Sequence, residues 1–297
     1  MRSVEPAMGL RKRLIVNADG FGFGPGATQG IVDALEEGKF ISSVSVNANF
    51  PEVDRVRELV AKFPHVSIGV HLNPAVGRPC LPAREVRSLL GPDGFFHGDD
   101  FIRLLRKGAI AVQELDAELD AQIARVRELA QNRLTHLDSQ ENTHLYYFDL
   151  FLRLLRKWGL CRMRNNASLI CLEAADPRYS RVKAYLREPH VWLMHCYRKH
   201  QMRKARAVGI RLADNLITVG YAGTGNKAHF ENWLRILRNL PAGTYEIYCH
   251  PAYPDGILRQ WSYYCDDRAR ELAILRNREL HEAARKLDVE IISFNAI

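Results

Sequence analysis

Four polar residues, each at the end of a different apolar run, have side chains suited to acid–base or metal chemistry. They are Asp19, His71, Asp138 and His250. The carboxyl ends of parallel strands meet at one face of an α/β fold, so we expect these four side chains to lie together. Four such coincidences are difficult to explain by core packing alone. The pattern therefore predicts an active site at that face.

The residues that follow Asp138 widen the range of possible chemistry. Glu141 offers a further carboxylate and His144 a further imidazole. Together with Asp138, His136 and Asp19, they could hold a divalent metal with an open position, or perform acid–base catalysis without one. Their spacing does not form a compact metal motif, so the residues alone leave both alternatives open.

His250 precedes Pro251 and resembles an imidazole that a loop presents beside a substrate. It could protonate a leaving group or hold an oxyanion. Aromatic residues of the loops, Tyr253 among them, could stack on a sugar ring. Ordinary loop packing is the competing interpretation for each of these aromatic residues.

The elements that must position these residues alternate between strand and helix almost throughout. The first strand, residues 14–16, ends in Asn17-Ala18-Asp19 and then in four glycines within seven residues. The alternation predicts an α/β protein with a single distorted, TIM-like (β/α) barrel of about seven or eight parallel strands. We expect residues 1–12 to form a disordered extension and residues 13–297 to form the one barrel domain.

The remaining predicted elements follow from hydrophobic periodicity and from glycine and proline positions. Residues 74–100 are predicted to form a loop or lid over the strand ends, and residues 268–287 a single helix. Residues 172–212 look helical without a clear strand. Further strands are predicted at 42–49, 66–70, 134–137, 161–165, 216–221, 244–249 and 289–294.

Composition excludes several classes of protein. Hydrophobic residues make up 47% of the 297 residues and charged residues 26%, which is enough for a full core. The net charge of +8 is spread along the chain without a nucleic-acid-binding motif, so we expect no nucleic-acid partner. No apolar stretch is long enough to span a membrane, and six cysteines without Cys-x-x-Cys spacing favour reduced thiols in a cytoplasm.

A set of short motifs, in order along the chain, resembles one family. The motifs are Asn17-Ala18-Asp19-x-Phe21-Gly22, Gly69-Val70-His71-Leu72, Thr135-His136-Leu137-Asp138-Ser139, Gly223-Thr224-Gly225 and Glu246-Ile247-Tyr248-Cys249-His250-Pro251. Together they resemble the YdjC/ChbG-type carbohydrate deacetylases, a group that includes the HpnK branch. The resemblance implies a distorted barrel and hydrolysis of an N-acetyl group on an amino sugar. It also implies a divalent metal, zinc or magnesium, that polarises the acetyl carbonyl and activates water while an aspartate acts as base.

The chain departs from this family pattern at two expected metal ligands. The family's opening motif carries two adjacent aspartates, and here the second position is Gly20. Its third motif ends in a metal-binding histidine, and here that position is Gln140. Of three implied ligands only His71 remains, so we expect the metal to bind weakly or not at all. The resemblance also implies that Arg164 faces the cleft, where it would contact substrate or a carboxylate; a surface salt bridge is its alternative role.

Three hypotheses about function remain open. The first is a carbohydrate deacetylase with a rebuilt metal site, using His71, His144 and either Asp19 or Glu141. The second is a metal-independent, glycosidase-like enzyme that uses Asp19 with Asp138 or Glu141. The third is a non-catalytic sugar-binding protein on the same barrel. All three predict a small carbohydrate or glycoconjugate as ligand, and a homo-oligomer is compatible with each.

Overall fold

A computed structural model describes residues 11–167, 169–170, 189–217 and 228–297. Eight parallel strands form one sheet within these ranges. The strands are β1 (Lys12–Phe21), β2 (Ser43–Val46), β3 (Ser67–Leu72), β4 (Leu134–Ser139), β5 (Leu169–Ile170), β6 (Asn215–Ile217), β7 (Gly243–Cys249) and β8 (Val289–Ile291). The predicted Gly223-Thr224-Gly225 motif and residues 172–188 lie outside the described residues.

The sheet curls around β1, its longest strand. β1 pairs with β7 along Lys12–Ala18, with β2 along Asn17–Phe21 and with β8 along Lys12–Leu14. The order across the sheet is β4-β3-β2-β1-β7-β6-β5. Two single parallel bridges, Leu137 to Met163 and Arg162 to Arg211, connect β4 towards the segment before β6. The predicted α/β class and distorted, TIM-like barrel are therefore confirmed, and the predicted fifth strand at 161–165 is reduced to these two bridges.

Helices surround the sheet and bury their apolar faces against it. They are α1 (Pro25–Asp33), α2 (Val56–Lys62), α3 (Phe101–Arg106), α4 (Val112–Leu129), α5 (Phe148–Lys157), α6 (Pro189–Ala207), α7 (Phe230–Asn239), α8 (Gly256–Trp261), α9 (Asp266–Arg276) and α10 (Glu279–Lys286). In α4 the residues Leu115, Leu119, Ile123 and Val126 are fully buried, as their helical spacing predicts. None of the helices in the described ranges is both long enough and apolar enough to cross a membrane.

The structure corrects the single helix that was predicted over residues 268–287. Two helices, α9 and α10, occupy this range, and Asn277 separates them with an extended ψ of 120°. The Asn277 side chain accepts a hydrogen bond from the backbone N–H of Glu279 at 2.9 Å. Such a side-chain bond gives the backbone N–H a partner other than the helical carbonyl, and the helix can end there. Hydrophobic periodicity does not record this bond, so the prediction missed the break.

The amino-terminal end of the barrel is closed by the segment that follows β8. Phe294 is fully buried, and its ring stacks on the imidazole of His136 at 3.8 Å between centroids. Its backbone N–H donates to Ser67 Oγ at 3.2 Å, at the start of β3. The polar cluster described next therefore lies towards the opposite, carboxyl end of the strands, where β/α barrels carry their active sites.

Candidate functional site

Three of the four predicted strand-end residues come together in the barrel. Asp19, His71 and Asp138 each offer a ligand atom, and these atoms lie within 4.8 Å of one another. All three side chains are buried. They belong to the last residues of β1, β3 and β4, whereas the sequence placed them just after the strands. Each strand extends beyond its apolar run. The interior of the barrel is polar at this end, so backbone pairing between the strands continues through polar residues.

Arg164 lies at the centre of this cluster and is 3% exposed. Its Nη1 and Nη2 donate to the two carboxylate oxygens of Asp19 at 2.8 and 2.7 Å. Nη2 also lies 2.9 Å from Asp138 Oδ2, and Nε donates to Glu246 Oε1 at 2.6 Å. The guanidinium thus contacts carboxylates, as one of its two predicted roles required, and it is not at the surface. Whether it also contacts substrate stays a prediction.

Two neutral side chains complete the bonding of the carboxylates. Asn17 Nδ2 donates to Asp19 Oδ1 at 2.6 Å and to Ser45 Oγ at 2.9 Å. Ser45 Oγ in turn donates to Asp138 Oδ2 at 2.9 Å. Ser45 stands opposite Asp19 in the register of β1 and β2, so the pairing itself delivers the hydroxyl. These contacts hold both carboxylates in one orientation.

His71 and Asp138 form a hydrogen-bonded pair. The two residues are opposite each other in the register of β3 and β4, and His71 Nδ1 lies 2.8 Å from Asp138 Oδ1. Burial alone would lower the pKa of His71, but the negative charge of Asp138 and this bond outweigh it and raise that pKa. Burial would raise the pKa of Asp138, yet the charges of Arg164 and His71 hold it well below its usual range. With Nδ1 donating to the carboxylate, Nε2 is the ring nitrogen left for a ligand.

Glu246 is the third carboxyl group bonded to Arg164, and the sequence analysis assigned it no role. It lies on β7, is fully buried, and its Oε2 has no hydrogen-bond partner among the described residues. Burial raises its pKa to about 7, although the charge of Arg164 acts in the opposite direction. A single acid within the apolar strand Tyr245–Cys249 was the signal that could have identified it, because an unpaired acid is rarely buried in a strand.

His136 lies below the cluster and stays neutral. Its Nε2 is 3.2 Å from Ser45 Oγ and its Nδ1 is 2.7 Å from Thr135 Oγ1. Burial lowers its pKa to about 3. A Cβ on Gly69 would come within 2.3 Å of His136 Nε2, so the imidazole fits only because position 69 has no side chain.

His144 and Glu141, the alternative ligands predicted from sequence, are not part of the three-residue group. His144 is fully buried against the ring of Phe151, and its Nδ1 is 2.6 Å from Ser139 Oγ. Burial lowers its pKa to about 3. Glu141 has a left-handed φ of 50°, and burial followed by the charge of Asp99 raises its pKa. Their roles as metal or substrate ligands stay predictions.

His250 and Tyr253 lie on the segment between β7 and α8, outside the three-residue group. The His250 ring packs edge-on against Tyr248 and Tyr264, and its backbone N–H donates to Glu271 Oε2 at 2.8 Å. Tyr253 is 37% exposed, and its hydroxyl donates to Asp33 Oδ2 at 2.6 Å. The predicted substrate contact of Tyr253 therefore competes with a bond to α1.

Arg268 is a second buried guanidinium near the cluster, and no sequence signal pointed to it. It is 9% exposed, and its Nη1 lies 3.6 Å from the point where a side chain at Gly20 would begin. Gly20 has a φ of +103°, a conformation that favours glycine. The position that the family resemblance assigns to a carboxylate ligand thus faces a cation in this chain.

The three-residue group offers metal ligands, but its donors are already engaged. Both oxygens of Asp19 accept hydrogen bonds from Arg164, whose Nη2 also forms an ion pair with Oδ2 of Asp138 at 2.9 Å, and Oδ1 of Asp138 is bonded to His71. A divalent cation would have to displace a guanidinium nitrogen that lies between two of its three ligands. The residues therefore do not fit a preformed divalent-metal site. They do fit a set of fixed acid and base groups.

Comparison with known proteins identifies the family to which this chain is similar. The family model described as "YdjC-like protein" matches residues 13–286. A carbohydrate deacetylase of Halalkalibacterium halodurans is 30% identical over 274 residues, which cover 91% of this chain and 98% of the relative. A carbohydrate deacetylase of Mus musculus is 33% identical over 265 residues, covering 82% of this chain and 79% of the relative.

A solved structure shares the fold. It is the crystal structure of a candidate cellobiose-phosphate cleavage protein from Enterococcus faecalis V583, with a TM-score of 0.74 and 26% sequence identity. The match covers 96% of this chain and 98% of the other. The similarity thus extends over the whole barrel.

Proposed function

Because the chain belongs to the YdjC-like protein family, we propose that it is a carbohydrate hydrolase that removes an N-acetyl group from an amino sugar. The observation that carries this proposal is the buried network of Asp19, Arg164, Asp138 and His71 at the carboxyl ends of the strands. Relatives of this chain are named carbohydrate deacetylases. A buried, mutually oriented set of acid and base groups is what amide hydrolysis requires.

In this proposal Asp19 is the general base. Arg164 and Asn17 hold its carboxylate, so it loses little conformational freedom when it accepts a proton. A water molecule adds to the acetyl carbonyl carbon and transfers its proton to Asp19. The C–N bond then breaks, the amine leaves with a proton, and acetate is released. His71, oriented by Asp138, supplies the proton to the leaving nitrogen through Nε2.

The same contacts argue against the form of the glycosidase-like alternative that pairs Asp19 with Asp138. Such enzymes need one carboxyl group that remains protonated and donates a proton to the glycosidic oxygen. Asp138 is unsuited to that task because Arg164 and His71 hold its pKa well below the usual range. Asp19 and Asp138 also contact the same guanidinium, so neither carboxylate is oriented freely towards a glycosidic oxygen.

The direct test measures acetate release from a panel of N-acetylated amino sugars and their oligomers. We expect release with a matching rise in free amine, and no cleavage of glycosidic bonds. Shortened oligosaccharides without acetate release would support the glycosidase-like alternative. Binding of the same sugars without any product would support the non-catalytic alternative.

Removal of divalent metal tests the donor set. We expect protein dialysed against a chelator to retain most of its acetate release, since Arg164 occupies the space between the carboxylates. Zinc and magnesium should then be added back separately. Activity that disappears with the chelator and returns with one metal would support the rebuilt metal site that includes His71. The cytoplasmic location and the homo-oligomer remain predictions.

A further inference from the structure

Arg268 is held rigidly beside the cluster but one part of its side chain is left unused. On α9, its backbone N–H donates to the carbonyl of Cys265 at 3.1 Å, and its carbonyl accepts from Ala252 at 3.3 Å. Its Nε donates to the Tyr264 carbonyl at 2.7 Å and its Nη2 to Ser262 Oγ at 3.4 Å. These contacts fix the plane of the guanidinium.

The remaining nitrogen, Nη1, has no hydrogen-bond acceptor in the part of the chain that the structure describes. It lies 3.6 Å from the position that a Cβ atom on Gly20 would occupy. Gly20 follows Asp19 directly in the sequence. At that distance a Cβ at position 20 would be in van der Waals contact with Nη1. Gly20 therefore leaves room beside Nη1, and the charge of Asp19, the residue that we propose as base, acts on Arg268.

The electrostatics of this space favour a negatively charged ligand. Arg268 is 9% exposed, and it does not form an ion pair with a carboxylate of the described residues. Burial lowers its pKa, and the negative charges of Glu271 and Asp19 only partly offset this effect. A buried cation with an unused donor gains from an anionic oxygen, because charge-assisted hydrogen bonds are strong in such surroundings.

We propose that Arg268 Nη1 binds the negatively charged oxygen that forms on the acyl carbonyl of the substrate, and that the same nitrogen binds the carboxylate of the acetate product. This inference rests on the proposed function. When water adds to the carbonyl carbon, the electron pair of the C=O double bond moves to the oxygen, which becomes anionic beside Arg268. Collapse of this intermediate restores the double bond as the C–N bond breaks. Arg268 thus supplies positive charge from the chain itself.

Acetate binding tests this role without requiring turnover. Sodium acetate is titrated by calorimetry into chelator-dialysed wild-type protein and into three variants, Arg268→Met, Arg268→Lys and Arg270→Met. Loss of one charge-assisted hydrogen bond should weaken acetate binding about 10- to 100-fold in Arg268→Met. Arg268→Lys keeps the charge without the planar donor set, and we expect an intermediate loss. Arg270 is exposed on the same helix and pairs with Asp267, so Arg270→Met should bind acetate like the wild type.

Turnover supplies the second readout. If Arg268 acts on the anionic oxygen, Arg268→Met should lower kcat for acetate release and change KM little. Circular dichroism and thermal unfolding identify any variant that fails to fold. If Arg268→Met does not fold, the wild type is compared with Arg268→Lys instead.

The outcomes separate this inference from the proposed function. Acetate binding that depends on Arg268, in a protein that releases no acetate from any sugar, would reject the proposed function and keep the anion site. Acetate release with equal acetate affinity in all folded variants would reject the role of Arg268 and keep the proposed function. Absence of acetate binding by the wild-type protein would also overturn the inference.

Discussion

Arg164 carries one positive charge, yet its guanidinium contacts the carboxyl groups of Asp19, Asp138 and Glu246. Asp138 has a second positive partner when His71 is protonated, and its pKa is held low. Among the described residues, the cation that Glu246 contacts is Arg164, through Nε, and burial raises the pKa of Glu246 to about 7. The three acids therefore share one cation unequally: the pKa of Asp138 is lowered, whereas the pKa of Glu246 is raised.

Replacement of Asp19 by asparagine tests its role as base. The amide of the Asp19→Asn variant would keep one oxygen acceptor for Arg164 but could not take a proton from water. We expect acetate release to fall about 10²- to 10⁴-fold in kcat, the usual size of a general-base contribution. Steady-state kinetics measure this change, and circular dichroism confirms folding. Full activity in the Asp19→Asn variant would exclude Asp19 as base.

Replacement of Glu246 by glutamine tests its raised pKa. An acid whose pKa is higher in the folded state stabilises that state while it is protonated. The ordinary pKa of a glutamate is 4.5 and that of folded Glu246 is about 7, so its stabilising contribution is lost as the pH rises between these two values. The wild-type advantage over Glu246→Gln should therefore shrink by up to about 3 kcal/mol between acidic and alkaline pH. Urea unfolding at several pH values measures it.

Exposed Glu231, which pairs with Arg238, provides the matched control for that experiment. Glu231→Gln should show no comparable change with pH, because exposed pairs contribute little to stability. A constant stability difference between wild type and Glu246→Gln from about pH 5 to about pH 8 would argue against the raised pKa.

At the scale of elements, the glycines of α1 set the distance between this helix and the segment that carries His250. A Cβ on Gly26 would lie 2.0 Å from the Tyr253 carbonyl oxygen, and one on Gly30 would lie 2.8 Å from Ala252 Cα. The Gly26 N–H also donates to Asp255 Oδ2 at 2.6 Å. The glycines after Asp19 thus allow the chain to turn and also allow α1 to pack closely against the segment that carries His250.

Gly26→Ala should consequently destabilise the protein by about 1–3 kcal/mol, the usual range for overpacking against backbone that cannot move away. Gly256→Ala is the matched control, since nothing lies within 4 Å of its added Cβ. We expect the control to be neutral or slightly stabilising. Chemical denaturation of both variants provides the comparison, and equal stability of the two would contradict the close packing of α1.

At the scale of the whole molecule, Arg164 connects strands that lie far apart in the sheet. Asp19 lies on β1, Asp138 on β4 at one end of the strand order, and Glu246 on β7. The guanidinium spans the interior between them, because the sheet curls and brings these strands to face one another. The same ion pairs that orient the proposed catalytic groups therefore also hold the barrel together.

Arg164→Met should reduce stability by about 3–5 kcal/mol at neutral pH, because it leaves buried carboxylates without their cation. Protonation at low pH should restore part of this loss. Arg153→Met, which breaks an exposed pair with Asp116, should cost less than about 1 kcal/mol. Thermal unfolding of both variants at acidic and neutral pH measures the difference. Similar losses in the two variants would contradict a central role for Arg164.

Much of the fold was predictable because strands and helices leave periodic patterns in the sequence. The apolar runs before Asp19, His71 and Asp138 predicted both the barrel and the meeting of these residues at one face. The break between α9 and α10 was missed because a single Asn side chain decided it. The bounds of the strands were also missed, since the polar interior extends them beyond the apolar runs.

The sequence by itself determined the alternation of elements, the acid and base residue types at the strand ends, and the membership of the family. These features are local, and each can be read within a few residues. Only the tertiary structure decided which groups neutralise those residues. Arg164 reaches Asp19 across 145 positions of the chain, and Arg268 reaches Gly20 from a helix near the other end. No local pattern records such contacts, because curling of the sheet creates them.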